Sequence, residues 1–134
     1  MSENPVRVLL ADDEPHVRLF VKAVVTSMGW TVVGEAADGR RAVELFDTTS
    51  PDLVLLDVNM PMMDGLAALR ALREKSETVA IVMLTSLASA EVVEQSLEAG
   101  ATYHLRKDLP VEDLKDELRD AWDAHVAELE GDAG

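Results

Sequence analysis

Short uninterrupted apolar runs alternate along this chain with longer stretches in which apolar residues recur every three or four positions. Leu53-Val54-Leu55-Leu56 leads straight into Asp57 and is followed by turn signals at Pro61 and Gly65. Such a run, bounded by turns, reads as a strand covered on both faces, as in the middle of a parallel sheet. Val6–Ala11 is a second run and ends at Asp12-Asp13-Glu14; Val79–Leu84 is a third and ends at Thr85-Ser86. Trp30–Ala36 and a short segment, Ala101–Leu105, running toward Lys107, read as two further strands. After the first strand, Val17, Phe20, Val21, Val24, Val25 and Met28 repeat at helical spacing and Gly29 stops the helix. Asp13 suits its cap and Pro15 its first turn. Asp38–Asp47 is expected to be a helix with Ala42, Val43, Leu45 and Phe46 inward, and Asp64–Lys75 one carrying Leu66, Leu69 and Leu72. Ala90–Ala99 is a helix stopped by Gly100, and Val111–Leu129 closes the chain as a long amphipathic helix.

Strand followed by helix, five times over, implies a parallel sheet with helices on both faces and right-handed crossovers. Five units predict a flavodoxin-like (βα)5 three-layer sandwich with strand order 2-1-3-4-5. Ligands of open α/β sheets bind outside the carboxyl ends of the strands. In that order strands 1, 3 and 4 are central, and they end in Asp12-Asp13, Asp57 and Thr85. Strand 5 ends near Lys107. The polar strand ends therefore meet on one rim.

The last helix carries Val111, Leu114, Leu118, Ala121, Trp122, Val126 and Leu129 as its apolar stripe. A core stripe with a solvated acidic back is the plain reading. The sharper one has Trp122, Val126 and Leu129 touching a partner or a second copy of the chain. His16 and His125 read as surface residues, and Met60, Met62 and Met63 as filling around the turn beside Asp57.

The chain has 134 residues and a formal charge of −14, with 26 acidic and 12 basic side chains. That length makes one domain with a full core, its body expected over about residues 6–125 and the rest, 126–134, as a helix end and acidic tail. The charge argues against nucleic acid, whose phosphates call for basic patches. No cysteine is present, so disulfides and thiolate metal sites are out and a reducing, cytoplasmic home is natural. The first residues, Met1-Ser2-Glu3-Asn4-Pro5, do not read as a signal peptide. No apolar stretch approaches the roughly 20 residues of a membrane helix.

Clustered carboxylates repel, and each raises the others' pKa unless a cation lies among them. Oxygen donors without His or Cys suit a hard ion such as Mg2+, and a carboxylate can also act as a nucleophile toward phosphorus. Positioning and positive charge then serve the transferred group, here from Thr85 and Lys107. The plain alternatives are helix capping for Asp12 and Asp13 and a turn role for Asp57.

Leu9-Leu10-Ala11-Asp12-Asp13-Glu14, Asp57-Val58-Asn59-Met60-Pro61-Met62-Met63-Asp64-Gly65, Leu84-Thr85-Ser86, and Gly100-Ala101 followed by Lys107 resemble the receiver domains of two-component response regulators, over about residues 6–125. The resemblance implies Asp57 as phosphoacceptor, served by a histidine kinase or a phosphotransfer protein. It implies Mg2+ held by Asp13 and Asp57 directly, by Asp12 through water and by the Asn59 carbonyl. Thr85 and the Ser86 N–H would donate to phosphoryl oxygens and Lys107 would pair with another. The signal would leave through Thr85 and residue 104 by remodelling the face of helix 4, strand 5 and helix 5, toward a protein target or a homodimer. Such a domain catalyses only its own phosphorylation and dephosphorylation.

The departures are specific. Asp108 stands where the family usually has proline after the lysine, so a trans bond is expected, since a cis one costs about 2.5–4 kcal/mol. Lys107-Asp108 resembles regulators with LuxR-type DNA-binding domains, so a fragment of such a regulator is one alternative. The family's aromatic switch position is His104 here, and Tyr103, one residue earlier, should face the other way. Leu87 replaces a residue that often orients the hydrolytic water, which would make the phosphoryl group long-lived. A Mg2+-dependent aspartyl phosphohydrolase is disfavoured because Asn59 stands where its second acid belongs. A flavodoxin-like ligand-binding module would want a phosphate-cradling glycine loop.

Overall fold

The computed structural model of the chain describes residues 5–60, 62–86 and 90–133. Strands β1 (Arg7–Ala11), β2 (Thr31–Ala36), β3 (Leu53–Asp57), β4 (Ala80–Thr85) and β5 (Tyr103–Arg106) alternate with helices α1 (Pro15–Ser27), α2 (Gly39–Thr49), α3 (Gly65–Lys75), α4 (Ala90–Glu98) and α5 (Val111–Ala133). All strand pairs are parallel, and the sheet order is β2-β1-β3-β4-β5. The flavodoxin-like expectation holds.

Strand alternation sorts the apolar residues into two cores. Val8, Leu10, Leu53, Leu55, Val82 and Leu84 pack with Val21, Val24 and Val25 of α1 and Leu114, Leu118 and Ala121 of α5. Leu9, Ala11, Val54, Leu56, Ile81 and Met83 pack with Ala42 of α2 and Ala68, Leu69 and Leu72 of α3. Every residue of β3, Asp57 included, is buried. This explains why the central strands read as unbroken apolar runs rather than as alternating ones.

Several edges shift. β1, β2 and β4 begin one residue later than the hydropathy implies, and β5 occupies Tyr103–Arg106 instead of Ala101–Leu105. Ladder pairing, rather than apolarity, sets where a strand begins. Asp38 and Asp64 lie just outside their helices as caps, accepting from the N–H groups of Arg41 at 2.8 Å and Ala67 at 2.9 Å. Asp13 caps nothing: Glu14 is the N-cap of α1 and its side chain makes no capping bond. Pro15 does open that helix. Phe20, expected inward, is 40% exposed, because α1 buries its Val21–Val24–Val25 stripe instead.

Helix α5 has 23 residues, about 34 Å of helix, and runs four residues beyond the predicted Leu129. Its stripe is core: Trp122 meets Trp30 edge-on at 6.4 Å. His125 is the larger correction. It is 8% exposed rather than a surface residue, stacked at a tilt on Trp122 with ring centroids 5.6 Å apart. Burial and the nearby Arg73 charge hold its pKa below the usual imidazole value. No helix among the described residues is long and apolar enough to cross a membrane.

Candidate functional site

Backbone hydrogen bonds carry each strand's register one step past its carboxyl end, and this is what gathers the site. The Asp12 N–H donates to the Ala36 carbonyl at 3.0 Å, Val58 N–H to Leu84 O at 3.0 Å, and Lys107 N–H to Thr85 O at 2.8 Å. Asp12, Asp57, Thr85 and Lys107 therefore leave four adjacent strands at one level. Gly65 sets the turn beyond Asp57: its N–H donates to Val58 O at 2.9 Å, and a Cβ there would collide with the Asp57 carbonyl oxygen. Only glycine lets α3 start so close to the end of β3.

Carboxylate oxygens of Asp12, Asp13 and Asp57 lie within 4.8 Å of one another. Asp12 and Asp57 are buried while Asp13 is exposed at the lip. The Lys107 ammonium bridges the two buried acids, 2.6 Å from Asp12 Oδ2 and 3.0 Å from Asp57 Oδ1. Among the described residues, Asp12 Oδ2 has that ion pair but no aligned hydrogen bond. Its Oδ1 accepts from Glu14 N–H at 2.9 Å. The Asn59 N–H donates to Asp57 Oδ1 at 3.3 Å.

Burial pushes the Asp57 carboxyl up to about 6, with Lys107 opposing and the neighbouring Asp12 charge assisting. Burial works against the Lys107 ammonium too, yet its pairing with Asp12 and Asp57 carries its pKa upward. The pocket is thus under-neutralised: three acids face one close ammonium. An all-oxygen donor set of this kind, with a buried oxygen to spare, fits a hard divalent cation.

Thr85 is buried at the end of β4. His104 lies opposite Met83 in the β4–β5 ladder; its Nε2 is buried without a hydrogen-bond partner among the described residues, and burial lowers its pKa. Tyr103 faces the other way, as expected, its hydroxyl donating to Glu117 Oε1 at 3.3 Å. The Lys107–Asp108 bond is trans, and Asp108 takes a two-pronged ion pair from Arg106. Leu87 lies outside the described residues.

Two side chains had no signal in the hydropathy pattern. Arg18 of α1 donates from Nη1 to the backbone carbonyl of Asp12 at 2.6 Å. Arg73 of α3 ties the opposite end of the sheet together through Gly100 O, Val79 O and Thr102 Oγ1. The two larger cavities, about 530 and 390 Å³, also lie at that far end around His125 and Leu129. They are remote from the acids, and we place the chemistry at the acids because charge and burial converge there.

A parallel α/β sandwich with an acidic pocket and a lysine at its switch point defines a class of phosphate-linked signalling domains. The chain belongs to the response regulator receiver domain family, whose model matches residues 8–119. It is 42% identical over 121 residues to the nitrate/nitrite response regulator protein NarL of Escherichia coli, covering 90% of this chain and 56% of that protein. It is 36% identical over 95 residues to the chemotaxis protein CheY of Bacillus subtilis, covering 71% of this chain and 79% of that one. Among solved structures, the CheX–CheY–BeF3–Mg2+ complex of Borrelia burgdorferi superposes with a TM-score of 0.84 at 28% identity, covering 88% of this chain and 90% of the other. The chain spans about half the length of the curated relatives it matches first.

Proposed function

We propose that this receiver is phosphorylated on Asp57 by the phosphohistidine of a histidine kinase or phosphotransfer protein, in the cytoplasm, and that the phosphorylated state controls a protein target. The observation that supports this most is the placement of Asp57: buried, at a strand end, 3.0 Å from the Lys107 ammonium and among two further acids. A carboxylate oxygen of Asp57 attacks phosphorus, the P–N bond to the histidine breaks, and the electron pair leaves with the imidazole nitrogen, which takes up a proton. Lys107 leaves Asp57 Oδ1 to pair with a phosphoryl oxygen, and the Thr85 hydroxyl donates to another. Asp12, Asp13, Asp57 and the Asn59 carbonyl would hold Mg2+, which supplies positive charge to the transferred group when bound. The domain thereby assists only its own phosphorylation and dephosphorylation.

Thr85 and His104 then couple the site to the face of α4, β5 and α5, which meets the target or a second copy. The receiver body spans about residues 6–125, the remainder being the end of α5 and an acidic tail. Mass spectrometry after treatment with acetyl phosphate and Mg2+ tests the chemistry: one phosphoryl adduct on the wild type and none on Asp57→Ala. An adduct that survives the substitution removes Asp57 from its role. A second reading, favoured by the 56% coverage of NarL, makes this chain the receiver part of a larger LuxR-type DNA-binding regulator. The length of the encoding reading frame decides it.

A further inference from the structure

Asp12 is held at three points, and the third is unusual. Its N–H is fixed by Ala36 O and its Oδ1 by Glu14 N–H, both of which are short local links. Its carbonyl oxygen, past the end of β1 and outside the ladder, is taken at 2.6 Å by Nη1 of Arg18. The Arg18 side chain is largely buried, 20% exposed. Its nearest carboxylate, Glu35 of β2, is 3.7 Å from Nε, and Glu35 makes a closer pair with Lys22 at 3.0 Å. The guanidinium thus makes its shortest contact with a backbone carbonyl, and Glu35 serves as its tether.

That carbonyl belongs to the peptide joining the two metal-site acids. A peptide group is planar, so fixing its oxygen fixes ψ of Asp12 and φ of Asp13 together. The direction in which one carboxylate leaves relative to the other is set by those two angles. We propose that Arg18 is a positioning residue for the acidic pocket, locking the Asp12–Asp13 peptide so that both carboxylates present oxygens to one divalent ion. The inference rests on the reading of the pocket as a Mg2+ site and deepens it.

Two effects of Arg18 have opposite signs. As a cation close to three acids it repels a metal ion, so by charge alone its removal should tighten Mg2+ binding. As a positioning group its removal loosens the turn and weakens binding, in the way partners behind metal ligands do. Isothermal titration with Mg2+, at a temperature where every variant is folded by circular dichroism, separates the two. Arg18→Ala is expected to bind Mg2+ about tenfold more weakly than wild type. Arg18→Lys, which keeps the charge and one donor, is expected to recover part of the loss and bind about threefold more weakly. A general loss of packing would lower the melting temperature in EDTA without this graded change in affinity. Unchanged or tighter binding by Arg18→Ala overturns the proposal. If that variant does not fold, Arg18→Lys decides alone: weaker binding supports the role, and equal or tighter binding removes it. A wild type that takes up no Mg2+ overturns the pocket reading and this one with it, whereas a wild type that binds, matched by Arg18→Ala, sinks this one only.

Discussion

Lys107 is the only ammonium in contact with the two buried acids among the described ion pairs, so its loss should be felt in the absence of metal. Removing one member of a buried ion pair strands the other charges. We expect Lys107→Ala to lower unfolding free energy in EDTA by about 3 kcal/mol, and Mg2+ to restore more stability to the variant than to wild type. Urea titrations with and without Mg2+ check it; equal Mg2+ effects on both proteins would show that Lys107 does not neutralise the pocket. Asp57 carries a second prediction. Its folded pKa, about 6, lies above the ordinary 3.8. Its contribution to stability is therefore fully present below about pH 4 and is lost as pH rises through about 6. Asp57→Asn removes the cost, so the metal-free variant should be the more stable protein at pH 7.5, by about 2–3 kcal/mol. The advantage should shrink toward zero near pH 4, and a pH-independent difference would contradict the raised pKa. The pocket acids were legible in the sequence because charge at the end of an apolar strand is costly and therefore informative. Arg18 was not: an arginine on a helix says nothing of the carbonyl it reaches.

At the scale of elements, the junction between β3 and α3 is the tightest in the fold. A methyl group on Gly65 would overlap the Asp57 carbonyl, and one on Gly39 would overlap the Met63 carbonyl. Backbone cannot swing aside as a side-chain tip can. Gly65→Ala should cost about 2–3 kcal/mol and should also impair phosphorylation, because relief of the clash displaces Asp57. Full stability with normal labelling would refute the close approach. Helix α5 carries the other elemental prediction. His125 is buried against Trp122 with a depressed pKa, so its contribution is present above about 6.5 and is lost as pH falls through its lower folded value. His125→Phe should keep the packing and flatten the acid side of the stability curve, read by thermal melts between pH 7 and 5. Helical periodicity placed the stripe of α5 correctly but treated His125 as polar and therefore exposed. Only the approach of α5 to the sheet end beside Thr78 and Arg73 buries it. Phe20 fails in the opposite direction: it fits the period of α1, yet the helix turns another stripe to the sheet.

For the whole molecule, the formal charge of −14 means that folding concentrates like charge. Few of the acids find partners, and the printed ion pairs are mostly exposed, where each is worth little. Sodium chloride raised from about 0.05 to 0.5 M in EDTA shortens the screening length, and the melting temperature should rise by about 5 °C; a fall would mean that attractive pairs dominate. By itself the sequence determined the five βα units, the sheet order and the set of acids, hydroxyl and lysine on one rim. Strand burial and helical period are local statistics that a linear chain displays openly, and parallel α/β topology leaves few ways to join them. Tertiary structure alone decided which strand ends come within an ion pair's reach, how far burial lifts Asp57, and which helix faces meet the sheet. Those depend on distances between residues remote in sequence, set by ladder register and packing rather than by any residue's own preference.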